Sequence, residues 1–171
     1  MVRAGVGALV AGFVVASASG CSLLLDFDSV GDDGGDDLPY TQAECDYKEP
    51  NNAVAEAAMV MPGDIGPAAV CAGSTDDRDL YRFTVPAGTT SVSVSVSFTN
   101  RPTGDLDLRI TDMSGATTLG QSRGFENLEQ IMCPGASPVC PMLAPGDYIF
   151  EVFPATPGAI NRYEFSLLLT P

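Results

Sequence analysis

The run Ser91-Val92-Ser93-Val94-Ser95-Val96-Ser97-Phe98 alternates serine with an apolar side chain along its whole length. Successive side chains of a β-strand point to opposite faces, so the three valines and Phe98 share one face and the four serines share the other. The sequence therefore predicts a half-buried antiparallel strand over residues 91–98. Its polar face is suited to hydrogen bonding with a glycan or a protein partner.

Four further segments alternate in the same way. They are Tyr81–Val85, Leu106–Ile110, Tyr148–Val152 and Tyr163–Leu169. Turn signals that contain proline or glycine separate them at short intervals, which favours an all-β fold over βαβ units. We expect an antiparallel, jelly-roll-like β-sandwich of about 7–9 strands. Only Asn52–Met61 is alanine-rich enough for helix, and one helical turn or an extended edge fits it equally well.

The composition excludes several kinds of chemistry. The chain has 171 residues, no histidine, and 22 acidic against 8 basic side chains, for a net charge of -14. Without histidine there is no Ser-His-Asp or Cys-His pair and no imidazole ligand for a metal. A strongly acidic chain also repels the phosphates of nucleic acid. We therefore expect a single domain with no nucleic-acid partner.

Residues 1–20 have the features of a bacterial lipoprotein signal peptide. Arg3 precedes an apolar run over residues 4–18, which is shorter than the roughly 20 residues of a membrane-spanning helix. The sequence Ala-Ser-Gly-Cys at 18–21 then resembles the lipobox, in which the cysteine is lipidated and becomes the mature N-terminus. Cys21 is therefore the predicted lipidation site, and the membrane the predicted first partner. The alternative is plain secretion after cleavage at Ala-Ser-Ala, residues 16–18.

The residues after Cys21 predict a location and a tether. The rule familiar from enteric bacteria treats aspartate after the lipidated cysteine as a retention signal, so Ser22 favours export to the outer membrane. Residues 21–43 are rich in glycine and aspartate, and such a segment repels itself and buries little surface. Its aspartates are Asp26, Asp28, Asp32, Asp33, Asp36 and Asp37. We expect an acidic disordered tether here and a folded domain over residues 44–171.

The five cysteines support this division of the chain. If Cys21 carries lipid, an even number remains, as an exported disulfide protein requires: Cys45, Cys71, Cys133 and Cys140. Four cysteines allow three pairings, and the sequence alone does not choose among them. The short proline-rich loop between Cys133 and Cys140 suits a local disulfide, which would leave Cys45 for Cys71. A zinc site is the alternative, but the C-x2-C spacing is absent.

Five segments in order resemble the bacterial pre-peptidase C-terminal domain. They are Glu49–Asn52, Asp76–Gly88, Gly104–Arg109, Pro145–Tyr148 and Asn161–Leu167. The resemblance covers about residues 44–171 and implies a small jelly-roll-like β-sandwich. Domains of this family are usually appended to secreted proteases and other exoenzymes, and relatives in collagenases bind calcium and collagen.

The resemblance also implies a structural calcium site, in which residues before the domain's first long strand meet aspartates at its start. The matching positions are Glu49, Asn51, Asn52, Asp76 and Asp79, with Asp77 as a further acid nearby. Asparagine stands at 52 where the family has aspartate, and Tyr47 where it has an acid, so this ligand set carries less charge. The alternative is a simple turn at 49–52 and a solvated loop at 76–79.

No catalytic residues are predicted. Asp105 and Asp107 form a carboxylate pair, but alternation places them opposite Leu106 and Leu108, on a face expected to be solvated. General acid-base catalysis needs a recessed site that raises one pKa. Arginines are expected to make surface ion pairs of little net worth, namely Arg82, Arg109 and Arg162.

The predicted function is a non-catalytic, surface-anchored lipoprotein whose β-sandwich is a binding or adaptor module, with calcium as a structural cofactor. Its partner would be an extracellular protein or polysaccharide. One alternative is a structural spacer in an envelope complex without a ligand of its own. A remoter alternative is a small hydrolase that uses carboxylates alone.

Overall fold

The computed structural model describes residues 40–71, 77–99 and 104–171. These ranges hold a short helix, α1 (Gln42–Cys45), a 3-10 turn (Val54–Glu56) and eleven β-strands. The strands are β1 (Ala58–Met59), β2 (Pro67–Val70), β3 (Asp79–Val85), β4 (Ser91–Phe98), β5 (Leu106–Asp112), β6 (Thr118–Ser122), β7 (Leu128–Cys133), β8 (Gly135–Ala136), β9 (Val139–Cys140), β10 (Gly146–Pro154) and β11 (Asn161–Thr170). Within these ranges, no helix has the length and apolar character needed to cross a membrane.

Nine of the strands form two sheets packed against each other. The five-stranded sheet has the order β1-β3-β10-β5-β6, and the four-stranded sheet has the order β2-β11-β4-β7. Every neighbouring pair is antiparallel except β1 and β3. The prediction of an all-β antiparallel sandwich is confirmed, and β8 and β9 add a separate two-stranded hairpin.

The alternation that predicted β4 also sets which of its faces is buried. The apolar side chains of β4 are at most 7% exposed, whereas its serines are half-buried or exposed. Val94 pairs with Leu167 of β11 on one side and Ile131 of β7 on the other, and all three are 0% exposed. The inner face of this sheet is therefore a continuous apolar layer.

An aromatic cluster joins this layer to the other sheet. The ring centroids of Tyr81 and Phe165 are 4.7 Å apart, those of Tyr81 and Phe150 are 5.0 Å apart, and those of Phe150 and Phe165 are 5.5 Å apart. Tyr81 and Phe150 belong to the five-stranded sheet and Phe165 to the four-stranded one. Tilted aromatic pairs stabilise a core by about 0.5–1.5 kcal/mol each beyond the area they bury.

The part of the chain before β2 agrees with the prediction over residues 52–61 but contains a helix, α1, that was not predicted. Residues 52–61 contain the 3-10 turn and β1, which matches the expectation of one helical turn or an extended edge. Helix α1 begins at Gln42, within the segment assigned to the tether. Thr41 and Glu44 form a capping box at its start, a sequence signal that the strand pattern did not reveal.

Both expected disulfides are present, Cys45–Cys71 and Cys133–Cys140. The first joins the last residue of α1 to the residue that follows β2. In the chain-entropy model, closing a loop of this length with a disulfide stabilises the folded state by about 3 kcal/mol. This disulfide fastens the start of the domain to the four-stranded sheet.

The two faces of β11 give a direct test of the sandwich. Leu167→Ala should lower the free energy of unfolding by about 2–5 kcal/mol, because it leaves a cavity in the buried layer. Ser166→Ala removes only a hydroxyl group from the opposite face and should change the free energy of unfolding by less than about 0.5 kcal/mol. Urea denaturation measures both, and equal losses would contradict the placement of β11.

Candidate metal centre

A lead-in segment, residues 49–52, runs beside the start of β3. The backbone N–H of Leu80 donates to the carbonyl oxygen of Asn51 at 3.0 Å. The backbone N–H of Arg78 donates to Asn52 Oδ1 at 2.9 Å. The disulfide Cys45–Cys71 holds the chain just before the lead-in segment. Residues far apart in sequence are thereby brought together.

Three carboxylates meet at this junction. Glu49, Asp77 and Asp79 each have an oxygen atom within 4.8 Å of the others. Asp79 is 2% exposed and Asp77 is 8% exposed. Like charges so close together in a buried site cannot all remain ionised unless a cation neutralises them. The group, here called the carboxylate cluster, therefore requires protons or a cation.

Structural hydrogen bonds fix each carboxylate of the cluster. Glu49 Oε2 accepts from the backbone N–H of Asn51 at 2.9 Å. Asp77 Oδ2 accepts from the backbone N–H of Cys71, and Asp79 Oδ2 accepts from the hydroxyl of Tyr163. The carboxylates are therefore positioned by the fold before any ion arrives.

Asn51 lies between two of these carboxylates and is 0% exposed. One terminal atom of its amide lies 3.1 Å from Glu49 Oε1 and 3.1 Å from Asp79 Oδ1. If that atom is nitrogen, it donates a hydrogen bond to each carboxylate. If it is oxygen, it faces two acceptors and needs a cation between them. The same side chain can thus satisfy the cluster with or without a metal, by rotating its amide.

A buried tyrosine pair connects the cluster to both sheets. The hydroxyl oxygens of Tyr81 and Tyr163 are 2.8 Å apart, and Tyr163 in turn donates to Asp79. Both side chains are at most 1% exposed. Tyr81 belongs to β3 and Tyr163 to β11, so this hydrogen-bonded chain crosses the interior of the sandwich.

Burial controls the electrostatics of the cluster. Burial raises the pKa of Asp79 to about 8, and the charges of Asp77 and Glu49 raise it as well. The hydrogen bonds from Tyr163 and Asn51 act in the opposite direction. Burial also raises the pKa of Glu49, and Asp77 adds to that effect. The neighbouring charges that raise these two pKa values are all acids, so each carboxylate of the cluster disfavours ionisation of the others.

The structure brings together most of the predicted metal ligands. Glu49, Asn51 and Asp79 are in the cluster, and so is Asp77, which the sequence marked as a further acid. Asn52 contacts the cluster through its amide nitrogen, which donates to Glu49 Oε2 at 3.4 Å, while its Oδ1 accepts from the backbone N–H of Arg78. Asp76 lies outside the described residues. Carboxylate and amide oxygens are the ligands that calcium prefers. Calcium binding itself stays a prediction.

The expectation of a solvated face at Asp107 is wrong. Its side chain is 4% exposed, and Arg123 Nε lies 3.6 Å from its Oδ2. Burial raises the pKa of Asp107 to about 6, while Arg123 lowers it. Alternation correctly places Asp107 opposite Leu106 and Leu108, but it does not show which distant side chains cover that face.

The expected surface ion pair of Arg109 is also wrong, because its partner is buried. Nε and Nη2 of Arg109 both lie 2.6 Å from Glu151 Oε2, and Glu151 is 3% exposed. Arg162 pairs with Glu44 at 3.1 Å while its own side chain stays 52% exposed. No ion pair of Arg82 is found within the described ranges.

Comparisons with known proteins agree with this architecture. Residues 77–154 match the model of a family described as the bacterial pre-peptidase C-terminal domain. The chain is also similar to a crystal structure of the pre-peptidase C-terminal domain of collagenase from Bacillus anthracis, with a TM-score of 0.51 and 17% identity, over 66% of this chain and 94% of that one. A search of curated proteins returns no match. At this identity, the structural likeness shows the fold alone.

The raised pKa of Asp79 predicts an unusual pH dependence when metal is removed by EGTA. Asp79 ionises at about 4 in the unfolded chain but keeps its proton up to about 8 in the folded one. The folded state therefore binds more protons between these values, and its stability should fall as the pH rises through that window.

Thermal melts across this pH window measure the effect. Asp79→Asn has no proton to lose, and its amide oxygen can still accept the hydrogen bond from Tyr163. The variant should therefore be more stable than the wild type at pH values of about 8, and the fall of its melting temperature with rising pH should disappear. Glu126→Gln changes an exposed acid and should keep the slope. A slope that is unchanged in Asp79→Asn would contradict the assignment.

Proposed function

The chain carries a bacterial pre-peptidase C-terminal domain, and from this premise we propose that it is a lipid-anchored, non-catalytic binding module stabilised by a structural calcium ion. Domains of this family are generally non-catalytic and often occur in secreted proteases. The observation that carries the proposal is the carboxylate cluster of Glu49, Asp77 and Asp79, with Asn51 between two of its members.

The donor set favours calcium over other metals. Every candidate ligand offers oxygen, whereas zinc prefers the nitrogen and sulfur ligands that this cluster lacks. Magnesium demands near-ideal octahedral geometry and usually keeps several waters, which suits a largely buried cluster poorly. A bound calcium ion would neutralise the cluster and fasten the lead-in segment to β3.

A binding role has more support than a catalytic one. Asp107 has the raised pKa of a candidate acid, but Arg123 pairs with it and its side chain is 4% exposed. A hydrolase that uses carboxylates alone needs such a group to reach a substrate. The hydrolase alternative therefore lacks an accessible acid at this position.

The outer face of the four-stranded sheet supports adaptor binding. Ser95 of β4 pairs in register with Ser166 of β11 and Gln130 of β7, so hydroxyl and amide groups lie side by side across three strands. Such a surface suits hydrogen bonding to a protein or polysaccharide. Because the structural relative is a domain of a collagenase, collagen fibres belong among the ligands to test.

The anchoring part of the proposal rests on sequence, since residues 1–39 lie outside the described residues. Cys21 would carry lipid, the residues between it and α1 would act as the tether, and the domain would be displayed at the cell envelope, at the outer membrane. The spacer alternative has the same anchor but no ligand. Pull-down of the protein by insoluble protein fibres or polysaccharide distinguishes the two.

Calcium should raise the melting temperature of the mature chain relative to EGTA. A ligand at about a hundredfold excess over its Kd stabilises the folded state by about 2.7 kcal/mol. Glu49→Gln and Asp77→Asn should each reduce the increase, because each removes one charge from the cluster. Glu126→Gln, an exposed acid, is the matched control. A full increase in Asp77→Asn would contradict the site.

Cys21→Ser should release the protein from membranes, because serine cannot form the thioether to lipid. Partition of cell extracts between detergent and aqueous phases measures this, and mass spectrometry of the N-terminal peptide identifies the lipid. Ser22→Ala leaves the cysteine in place and should remain in the detergent phase. Retention of Cys21→Ser in that phase would overturn the lipid anchor.

A further inference from the structure

The two disulfides of the domain differ in their exposure to solvent. Cys133 and Cys140 are 1% and 2% exposed and belong to the hydrophobic core. Cys45 and Cys71 are both only half-buried, where the end of α1 meets the end of β2, an edge strand of its sheet. Thiol–disulfide exchange requires a thiolate to reach one of the two sulfur atoms. A reductant in solvent can therefore reach Cys45–Cys71 in the folded domain, whereas the core shields the second disulfide.

The half-buried disulfide also holds two members of the carboxylate cluster. The backbone N–H of Cys71 donates to Asp77 Oδ2, so the position of this carboxylate depends on that of Cys71. Cys45 is the last residue of α1, and Asp46 follows it directly. The backbone N–H of Glu49 donates to the carbonyl oxygen of Asp46 at 3.3 Å. The disulfide thus joins the attachment of Glu49 to the attachment of Asp77.

The rest of the cluster is held by contacts that do not pass through the sulfur atoms. Asp79 is a residue of β3 and pairs with Val152 of β10. The carbonyl oxygen of Asn51 accepts from the backbone N–H of Leu80 at 3.0 Å. Reduction should therefore leave the sandwich folded while Glu49 and Asp77 gain freedom. A cation then binds more weakly, because binding must order its ligands again.

We propose that Cys45–Cys71 is a thiol–disulfide exchange site for an external dithiol, and that its reduction loosens the carboxylate cluster and weakens cation binding there. A thiolate of the dithiol attacks one sulfur atom and breaks the S–S bond, which gives a mixed disulfide and a cysteine thiolate. The second thiol of the reductant then displaces the other cysteine. Two electrons pass to the protein, each cysteine takes up a proton, and the reductant leaves as its own disulfide.

The inference rests on the calcium site proposed above and adds its regulation. The coupling must act in both directions, because it is a free energy shared by two equilibria. If reduction raises the Kd for calcium by some factor, saturating calcium opposes reduction by the same factor. Calcium would thus protect the disulfide, and a dithiol would release the calcium.

Alkylation of thiols tests the exchange site. The chain used carries Cys21→Ser, because Cys21 lies outside both disulfides and every alkylated thiol then comes from a disulfide. After dithiothreitol in EGTA and a quench with iodoacetamide, peptide mapping should show that Cys45 and Cys71 react at least about tenfold faster than the buried pair. Equal rates for the two pairs in the folded chain would overturn the exchange site.

Calcium titration tests the coupling. The Kd should be at least about fivefold higher in the chain reduced at Cys45–Cys71, and in the double variant Cys45→Ser with Cys71→Ser, than in the oxidised chain. In saturating calcium, the ratio of reduced to oxidised dithiothreitol needed for half reduction should rise by the same factor. Leu167→Ala is the control, since it destabilises the core but leaves the disulfide intact, and its Kd should be that of the wild type.

Two kinds of failure are distinguishable. A Kd that is the same in the oxidised and reduced chains would overturn the coupling alone. Failure of the oxidised chain to bind calcium would contradict the proposed function, and with it the effect on cation binding.

The loosening of the cluster has a readout that needs no metal. In EGTA, reduction should speed hydrogen exchange of the Cys71 backbone amide at least about tenfold, because its bond to Asp77 opens more often. The backbone amide of Thr90, which donates to the carbonyl oxygen of Thr170 at the other end of β11, should keep its rate. An unchanged rate at Cys71 would overturn the loosening.

Discussion

The buried carboxylate of Asp79 is the constraint around which this end of the domain is built. Its side chain is 2% exposed, it accepts a hydrogen bond from Tyr163 of the opposite sheet, and it lies beside Glu49 and Asp77. An isolated ionised carboxylate in such a place is strongly destabilising, so it must hold a proton or share a cation. The surrounding hydrogen bonds fix the position of each acid, and the amide of Asn51 suits either state.

The cluster draws on parts of the chain that lie outside the matched family range. That range covers residues 77–154, whereas Glu49 and Asn51 precede it and Tyr163 follows it. The disulfide Cys45–Cys71 and the bond from Leu80 to Asn51 bring the earlier segment to β3. β11 brings Tyr163 from the other side. The site therefore depends on the whole described domain being folded.

The sequence predicted the strands well because alternation is a local property. It correctly placed the valines of β4 inside, and the cysteine spacing favoured the observed disulfides. It failed where burial depends on distant side chains. Asp107 and Glu151 lie on the outer face of their sheet yet are covered, and their partners are arginines remote in sequence. Residue type alone could not show that Asn51 and Asn52 have different roles, because both are asparagines. The amide oxygen of Asn52 is turned toward the backbone N–H of Arg78, a contact that only the folded structure reveals.

We propose that a cation occupies the carboxylate cluster beside the Tyr81–Tyr163 pair. Terbium(III) binds at oxygen-rich calcium sites and emits when a nearby tyrosine is excited, so its luminescence reports both binding and position. We expect tyrosine-sensitised emission that calcium displaces and that Asp79→Asn abolishes. Absence of sensitised emission from the folded wild-type chain, or its full retention in Asp79→Asn, would contradict it.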